Sequence, residues 1–356
     1  MPLAPADSGQ RISLTDHLLV QAEPADLDVA RQLADLYGSG LVLTGERAVE
    51  LCKESWRNSF SRPVLADRRR YAGRARRRGT EPFTDSWLSG QQAGGVAAVL
   101  SDSGYIGEGD EQSLTSVLSQ SAQAGAPVVG VLPLHISWLG NGLKKLTSEV
   151  NEHGIPVALV LEHKNDPLGT QWAVKGLINF LAGTEVPVSM LCCDISALGA
   201  LAFGADWAAV GIRSGLRHLY PSNAGGGFNW SPSLSVLVKP MLSIVTVEKI
   251  GEAWAETHED PDWVHDIWTC ACRTCQGRTL EWLASASASE ANAHTFELLA
   301  ELRDGLASLP PGRVRQRSWT SKCNAAMNRY DELRLDARVG WRVPGYLRSW
   351  AALWER

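Results

Sequence analysis

Residues 127–135 read PVVGVLPLH and residues 156–162 read PVALVLE, with LKKLTSEVNE at 143–152 between them. The flanking runs are apolar without alternation, the pattern of strands buried on both faces of a sheet. The middle segment places Leu143, Leu146 and Val150 at helical spacing among charged residues, as an amphipathic helix does. A buried strand, a helix and a second buried strand make a βαβ unit with parallel strands.

The theme recurs at 40–44 (GLVLT), 63–67 (PVLAD), 96–102 (VAAVLSD), 187–194 (PVSMLCCD) and 206–211 (DWAAVG). A weaker eighth run, LSVLV at 234–238, is closed by Lys239 and Pro240. Helical segments at 111–123 and 170–181 separate others. Eight such units within roughly 250 residues predict an α/β fold, a (β/α)8 TIM-like barrel. An open doubly wound sheet is the alternative, weakened because no G-x-G-x-x-G follows the first run. The chain then divides into a preamble at 1–39 with a helix over 24–36, a barrel core at 40–256, a cysteine-bearing subdomain at 257–312 and a basic C-terminal arm at 313–356.

The 356 residues are 44% hydrophobic and 21% charged, with a net charge of −5. That excludes a disordered chain and leaves enough mass for a large core. No run approaches the roughly 20 apolar residues of a membrane span, and MPLAPADSGQ lacks a secretory pattern, so a cytoplasmic protein is expected. The charge is segregated. Residues 62–78 (RPVLADRRRYAGRARRR) hold eight Arg against one Asp, and residues 313–356 hold nine Arg and one Lys against four acids. The remainder is distinctly acidic. Two Arg-rich surfaces suggest a polyanionic partner, nucleic acid, because Arg matches phosphate geometry; solvated loop and helical faces are the plain alternative.

Seven cysteines in such a chain do not read as disulfides. Cys52, Cys192, Cys193 and Cys323 read as small buried hydrophobes. WTCACRTC at 268–275 differs, because it packs Cys270, Cys272 and Cys275 into six residues. Three soft ligands from one loop need a fourth to close a tetrahedral zinc site, and His294, near the start of a helical run, is the best candidate; His258 and His265 are nearer in sequence but precede the cluster. With four protein ligands the zinc is structural, and residues 257–312 form a zinc-binding subdomain appended to the barrel.

Barrel chemistry sits at the carboxyl ends of the strands. Those ends carry Asp67, Asp102, His135, Glu162, His163 and Asp194. Helix N-capping competes as an explanation, most strongly for Asp194 and Asp67. It competes least for Asp102, in S-D-S-G-Y, where Gly104 permits a sharp turn and Tyr105 offers a ring. Among fourteen Trp, Trp138 and Trp230 follow a strand end or sit in a loop and join Tyr105 as candidate stackers. The insertion SGLRHLYPSNAGGGFNW at 214–230 reads as a lid, a wedge or a surface loop, with Arg213 and Arg217 able to reach phosphate. Arg68, Arg69 and Arg70 leave their strand on the same face and are placed to clamp a nucleic-acid backbone.

C-x-C-x-x-C followed by a helical His resembles the zinc subdomain of the tRNA-guanine transglycosylase superfamily. LSDSGY at 100–105 is similar to that family's T-D-S-G-G-[FY] loop, and MLCCDISALGALAFGADWAAVG at 190–211 to the segment leading into its seventh strand. Together these span roughly residues 40–310, and the resemblance implies a catalytic carboxylate at Asp102. The family's covalent nucleophile is the second Asp of G-V-D-M-F-D-C; Ala209 stands there, and Asp206 matches only the first Asp, which begins the strand and points away from the chemistry. His135 and Glu162 fall near its base-reading positions and differ in type. The spacing between Cys275 and His294 is closer to the DNA-acting branch that inserts 7-deazaguanines.

The resemblance therefore implies a transglycosylase-like scaffold with different chemistry: a DNA glycosylase that flips and excises a modified base, serving defence against phages. In that reading Asp102 stabilises the cationic sugar and activates water, Glu162, His135 or His163 reads or protonates the base, and Asp194 is a reserve carboxylate. Base exchange on tRNA or DNA with a relocated nucleophile is one alternative; a catalytically inactive nucleic-acid-binding module is another.

Overall fold

The computed structural model describes residues 13–124, 127–222 and 234–353. Eight parallel strands run in spatial order β3-β2-β1-β8-β7-β6-β5-β4. They are β1 (Leu18–Ala22), β2 (Leu41–Thr44), β3 (Val64–Asp67), β4 (Val99–Leu100), β5 (Val128–His135), β6 (Val157–Glu162), β7 (Val188–Cys193) and β8 (Ala208–Gly211). Edge strands β3 and β4 are joined where Ala97 donates to the Val64 carbonyl at 2.9 Å, so the sheet curls into a nearly closed TIM-like barrel. Each of the first seven strands is followed by a helix: α1 (Leu27–Leu36), α2 (Ala48–Arg57), α3 (Asp85–Gln92), α4 (Glu111–Gln123), α5 (Leu143–His153), α6 (Gln171–Gly183) and α7 (Ser196–Ala202).

Strand residues divide by parity, as the two-residue period requires. Leu19, Val42, Leu65, Leu100, Val131, Ala158, Val160, Leu191 and Ala209 fill the interior as one cluster. Their neighbours Val20, Leu41, Leu43, Leu132, Leu159 and Val210 face outward into the larger core under the helices. The interior is thus a packed plug rather than a pore, and titratable groups can gather only above it, at the carboxyl ends.

The first barrel strand lies inside the stretch expected to be a preamble. β1 pairs with β2 on one side and β8 on the other. Its polar Gln21 interrupts the apolar run that would have announced a buried strand. The amide is satisfied tertiarily, its Nε2 donating to Cys192 Sγ (3.2 Å) and its Oε1 accepting from Cys192 N (2.7 Å). With β1 in place the barrel is full, and the run expected as the eighth strand lies outside it. That run, β9 (Ser235–Val238), pairs antiparallel with β10 (Ser243–Thr246).

The chain continues through α8 (Val247–Thr257), the single turn α9 (Pro261–Trp263), α10 (Ala288–Ala307), α11 (Arg313–Leu335) and α12 (Gly345–Ala351). A capping box between Ser287 and Glu290 starts α10. Helix α10 packs on both α7 and α1, the place in the outer ring that the helix after the eighth strand takes in a regular barrel. The cysteine-bearing segment is therefore spliced between β8 and the ring's last helix. Nor is 313–356 a free arm: α11 packs on α7 and α12 on α6. Trp319 and Trp350 are fully buried and meet edge to face at 6.3 Å, over Gly199 of α7, where any Cβ would lie 2.6 Å from the Trp350 ring. Arg315 is buried against Asp16 at 2.6 Å. No helix among the described residues is long and apolar enough to cross a membrane.

Candidate active site and metal centre

Asp102 ends its strand region with a fully buried side chain. Its Oδ2 accepts from Arg70 Nη1 (2.8 Å), Arg68 Nη1 (3.1 Å) and the Thr84 backbone N–H (3.0 Å). Its Oδ1 is buried and has no partner. All three donors come from the β3–α3 loop, residues 68–84, which folds across the mouth. Tyr105 N–H donates to the Arg77 carbonyl (2.7 Å) and Gly79 N–H to the Tyr105 carbonyl (2.9 Å), knitting this loop to S-D-S-G-Y. Gly104 is required there, since a Cβ would fall 2.1 Å from the Arg78 carbonyl oxygen.

Glu162, at the end of β6, is the second buried carboxylate of the mouth. Arg76 pairs with its Oε1 and the Tyr105 hydroxyl donates to its Oε2. The Arg76 guanidinium lies over the Tyr105 ring at 3.6 Å, a cation–π contact. Burial, reinforced by Glu162, pushes the Tyr105 phenol well above its ordinary range. Asp67, at the end of β3, accepts from Tyr71 hydroxyl (2.5 Å) and Arg69 N–H (2.9 Å). Burial nevertheless pushes its carboxyl upward, so the protonated form is favoured relative to an exposed Asp.

Two histidines flank these acids with the same tautomer. Ser137 N–H donates to His135 Nδ1 (3.3 Å), and Asn165 N–H donates to His163 Nδ1 (3.3 Å). An Nδ1 that accepts leaves the neutral ring's proton on Nε2, so each presents a donor. His218, from the loop after β8, is a third imidazole. Burial, with His163 beside it, lowers it to about 4, so it is neutral near pH 7, stacked on Tyr220 at 3.9 Å.

Asp194 does not join this group. Its Oδ1 accepts from Ser196 N–H (2.8 Å), closing the turn that leads into α7. Burial raises its carboxyl, and Arg217 opposes that rise. Burial, with Asp194 nearby, likewise pushes Asp166 up to about 8. Several expected contacts are redirected. Trp138 is buried and its indole N–H donates to Gly107 O at 2.7 Å, so it supports the loop and offers no free face. Arg68 and Arg70 turn inward onto Asp102, and Arg69 donates to Gly215 O at 2.6 Å and pairs with Glu23. Arg217 donates to Gly211 O at 3.2 Å. Arg213 stays exposed but pairs with Asp26 at 2.6 Å. For Arg68 and Arg70 the cause is the buried Asp102 carboxylate, whose charge is tolerated away from water only when it is paired. Trp230 and residues 223–233 lie outside the described residues. Sequence reading missed Arg76, Thr84 and His218; Arg76 stood in the Arg run without anything to separate it from its neighbours. Ala209 lies in the apolar interior. Asp206 accepts from Thr15 at 2.8 Å, before β8 begins and away from the mouth.

Cys270, Cys272, Cys275 and His294 converge, all buried, with ligand atoms within 4.8 Å of one another. His294 Nδ1 lies 3.6, 3.5 and 3.2 Å from the three sulfurs in that order. A tetrahedral ion at about 2.3 Å from sulfur and 2.0–2.1 Å from nitrogen spaces S and N about 3.5 Å apart. The donor set thus fits a metal ion. Its nitrogen is chosen by Leu237 of β9, whose carbonyl lies 2.9 Å from His294 Nε2: Nε2–H donates outward and Nδ1 turns to the thiols. Left-handed backbone at Gln276 (φ 54°) and Gly277 (φ 83°) turns the loop back under the cysteines. His265 instead faces Asp266 at 2.9 Å. A cavity of about 690 Å³ borders this loop between α1 and α10; it holds none of the acids and histidines that converge at the mouth.

No family model and no curated protein matches the chain. Among solved structures it is similar to thiamine phosphate pyrophosphorylase from Pyrococcus furiosus, at TM-score 0.32 and 13% identity over 55% of this chain and 86% of that one. It is also similar to a probable tagatose 6 phosphate kinase from Sinorhizobium meliloti 1021, at TM-score 0.32 and 12% identity over 94% of this chain and 98% of that one. Likeness this distant carries no argument about activity, and the barrel is assigned from its own strand order.

Proposed function

We propose that the protein is an N-glycosylase that excises a modified nucleobase from DNA by hydrolysis, as defence against phages carrying such bases. One observation carries this reading: the buried carboxylate of Asp102 spends three donors on Oδ2 and leaves Oδ1 unpartnered. A buried acceptor without a donor is costly and calls for a bound water or substrate group. A water held there attacks the anomeric carbon. The new C–O bond forms as the C–N bond breaks, its electron pair leaves on the base nitrogen, and the water's proton passes to Oδ1. The His135 or His163 Nε2–H donates a hydrogen bond to the departing base and stabilises the negative charge on its nitrogen until solvent protonates it, while Glu162, oriented by Arg76 and Tyr105, faces the charge that develops on the sugar. Ala209 supports hydrolysis over exchange, since no carboxylate stands there to hold a glycosyl intermediate. The metal in this reading is structural zinc, held by Cys270, Cys272, Cys275 and His294; it supports α10 and takes no part in the reaction.

The test is incubation with unmodified, glucosylated-hydroxymethylated and 7-deazaguanine-bearing DNA, and with tRNA, followed by mass spectrometry for free base and abasic sites. Free base without uptake of labelled guanine is expected, and Asp102→Asn should reduce release by about 100-fold or more while nucleic-acid binding survives. Uptake of labelled guanine would replace excision by exchange. Full activity in Asp102→Asn would remove the assigned role.

A further inference from the structure

In a βα barrel each helix begins at the mouth and runs back to the opposite end. Trp172 is the second residue of α6 and therefore stands on the mouth rim; it is 47% exposed. Its indole leans over Gly140 in the β5–α5 loop, where an added Cβ would lie 3.3 Å from its ring edge. Beneath the same turn lies buried Trp138, 2.6 Å from where a Cβ on Gly142 would be. One tryptophan thus holds the turn from below, and the other rests on top with much of its surface in water. Among the described residues the other strongly exposed tryptophan is Trp56, at 66%, but it stands at the far end of α2, away from the mouth.

Two exposed lysines share this side of the rim. Lys144 is exposed at the second position of α5, also at the mouth, and Lys164 is exposed in the β6–α6 loop. Lys145 is held by Glu149 at 2.7 Å. Asp166 of that loop accepts from Leu168 N–H at 2.9 Å, turned back onto its own loop. An exposed indole flanked by flexible cations is what single strands use, bases stacking on the ring while phosphates meet the ammonium groups.

We propose that Trp172, with Lys144 and Lys164, is a stacking platform for an unpaired base of a DNA strand threaded past the mouth. It rests on the glycosylase reading for its partner and assigns the β5–β6 side of the rim as the surface that grips the strand, since Arg68, Arg70 and Arg76 of the β3–α3 loop are turned onto the buried carboxylates of Asp102 and Glu162.

Fluorescence anisotropy of the full-length protein with a labelled single-stranded DNA oligonucleotide, at several salt concentrations, tests this. Trp172→Ala should weaken binding roughly 5- to 150-fold, the measured range for one stacked base. Trp172→Phe should keep most of the affinity, and Trp56→Ala should bind as wild type. Lys164→Ala should lower the slope of log affinity against log salt by about one. Wild-type affinity in Trp172→Ala, or a wild-type protein that binds no oligonucleotide, overturns the platform. Base release measured on the same samples separates the two readings. Trp172-dependent binding without release from any substrate overturns the glycosylase and keeps the platform; normal release and binding by Trp172→Ala does the reverse.

Discussion

On the proposal that zinc fills the cluster of Cys270, Cys272, Cys275 and His294, removing it is the perturbation whose cost the structure bounds best. The four ligands join two elements: the cysteine loop, and α10 through His294, whose orientation is set by Leu237 of the β9–β10 hairpin. Helix α10 also buries Phe296, Leu298, Leu299, Leu302 and Leu306 in the barrel's outer ring. Zinc bound by such a set in small peptides is worth about 10–16 kcal/mol of apparent free energy. Here the flanking chain is anchored at both ends, so only part of that is folding energy. Even a third of it, about 4 kcal/mol, is a large share of the roughly 5–15 kcal/mol that holds a domain together. Chelation at neutral pH, or Cys272→Ala, should lower Tm by about 5 °C, since unfolding entropy grows with the length of the chain. Amide exchange should rise first in β9, β10 and the start of α10. Metal analysis of the native protein should find one zinc per chain, and cobalt substitution should show the thiolate spectrum of a tetrahedral site. Complete metal loss with Tm and exchange unchanged would refute the role of the ion, and substoichiometric metal in freshly purified protein would refute the site.

Two further outcomes follow from burial. Asp166→Asn should stabilise the protein at about pH 8 and do little at or below about pH 4: a carboxyl pushed up to about 8 binds its proton more tightly folded than unfolded, so stability is lost as pH climbs from about 4 to 8; a Tm difference that does not grow with pH contradicts this. Trp350→Ala should cost about 3–5 kcal/mol in urea unfolding, because α12 is part of the core; a change below about 1 kcal/mol would mean that the C-terminal segment is an independent arm.

How legible the molecule was depended on the range of the interaction. The strands expected at 127–135 and 156–162 appear as Val128–His135 and Val157–Glu162, and the helix expected at 111–123 as Glu111–Gln123, because apolar periodicity is written within a few residues. LLVQA escaped notice because Gln21 breaks its apolar run, and its partner, Cys192, is 171 residues away. Cys270, Cys272 and Cys275 were legible because three thiols in one turn suit a metal wherever the turn sits. In sequence Trp138, just after a strand end, is the candidate stacker and Trp172 is not singled out. Only the packing of the Gly140–Gly142 turn decides that the first is buried and the second exposed.

The sequence by itself determined the alternation of strands and helices, the row of ionisable strand ends and the thiol cluster, because each is set by spacing along the chain. The tertiary structure alone decided which eight runs close the barrel, that α10 completes its ring, and that Arg68, Arg70 and Arg76 turn inward to Asp102 and Glu162. Those outcomes follow from pairings between residues tens to hundreds of positions apart, where burial of a carboxylate sets where a guanidinium must go and no local pattern records the choice.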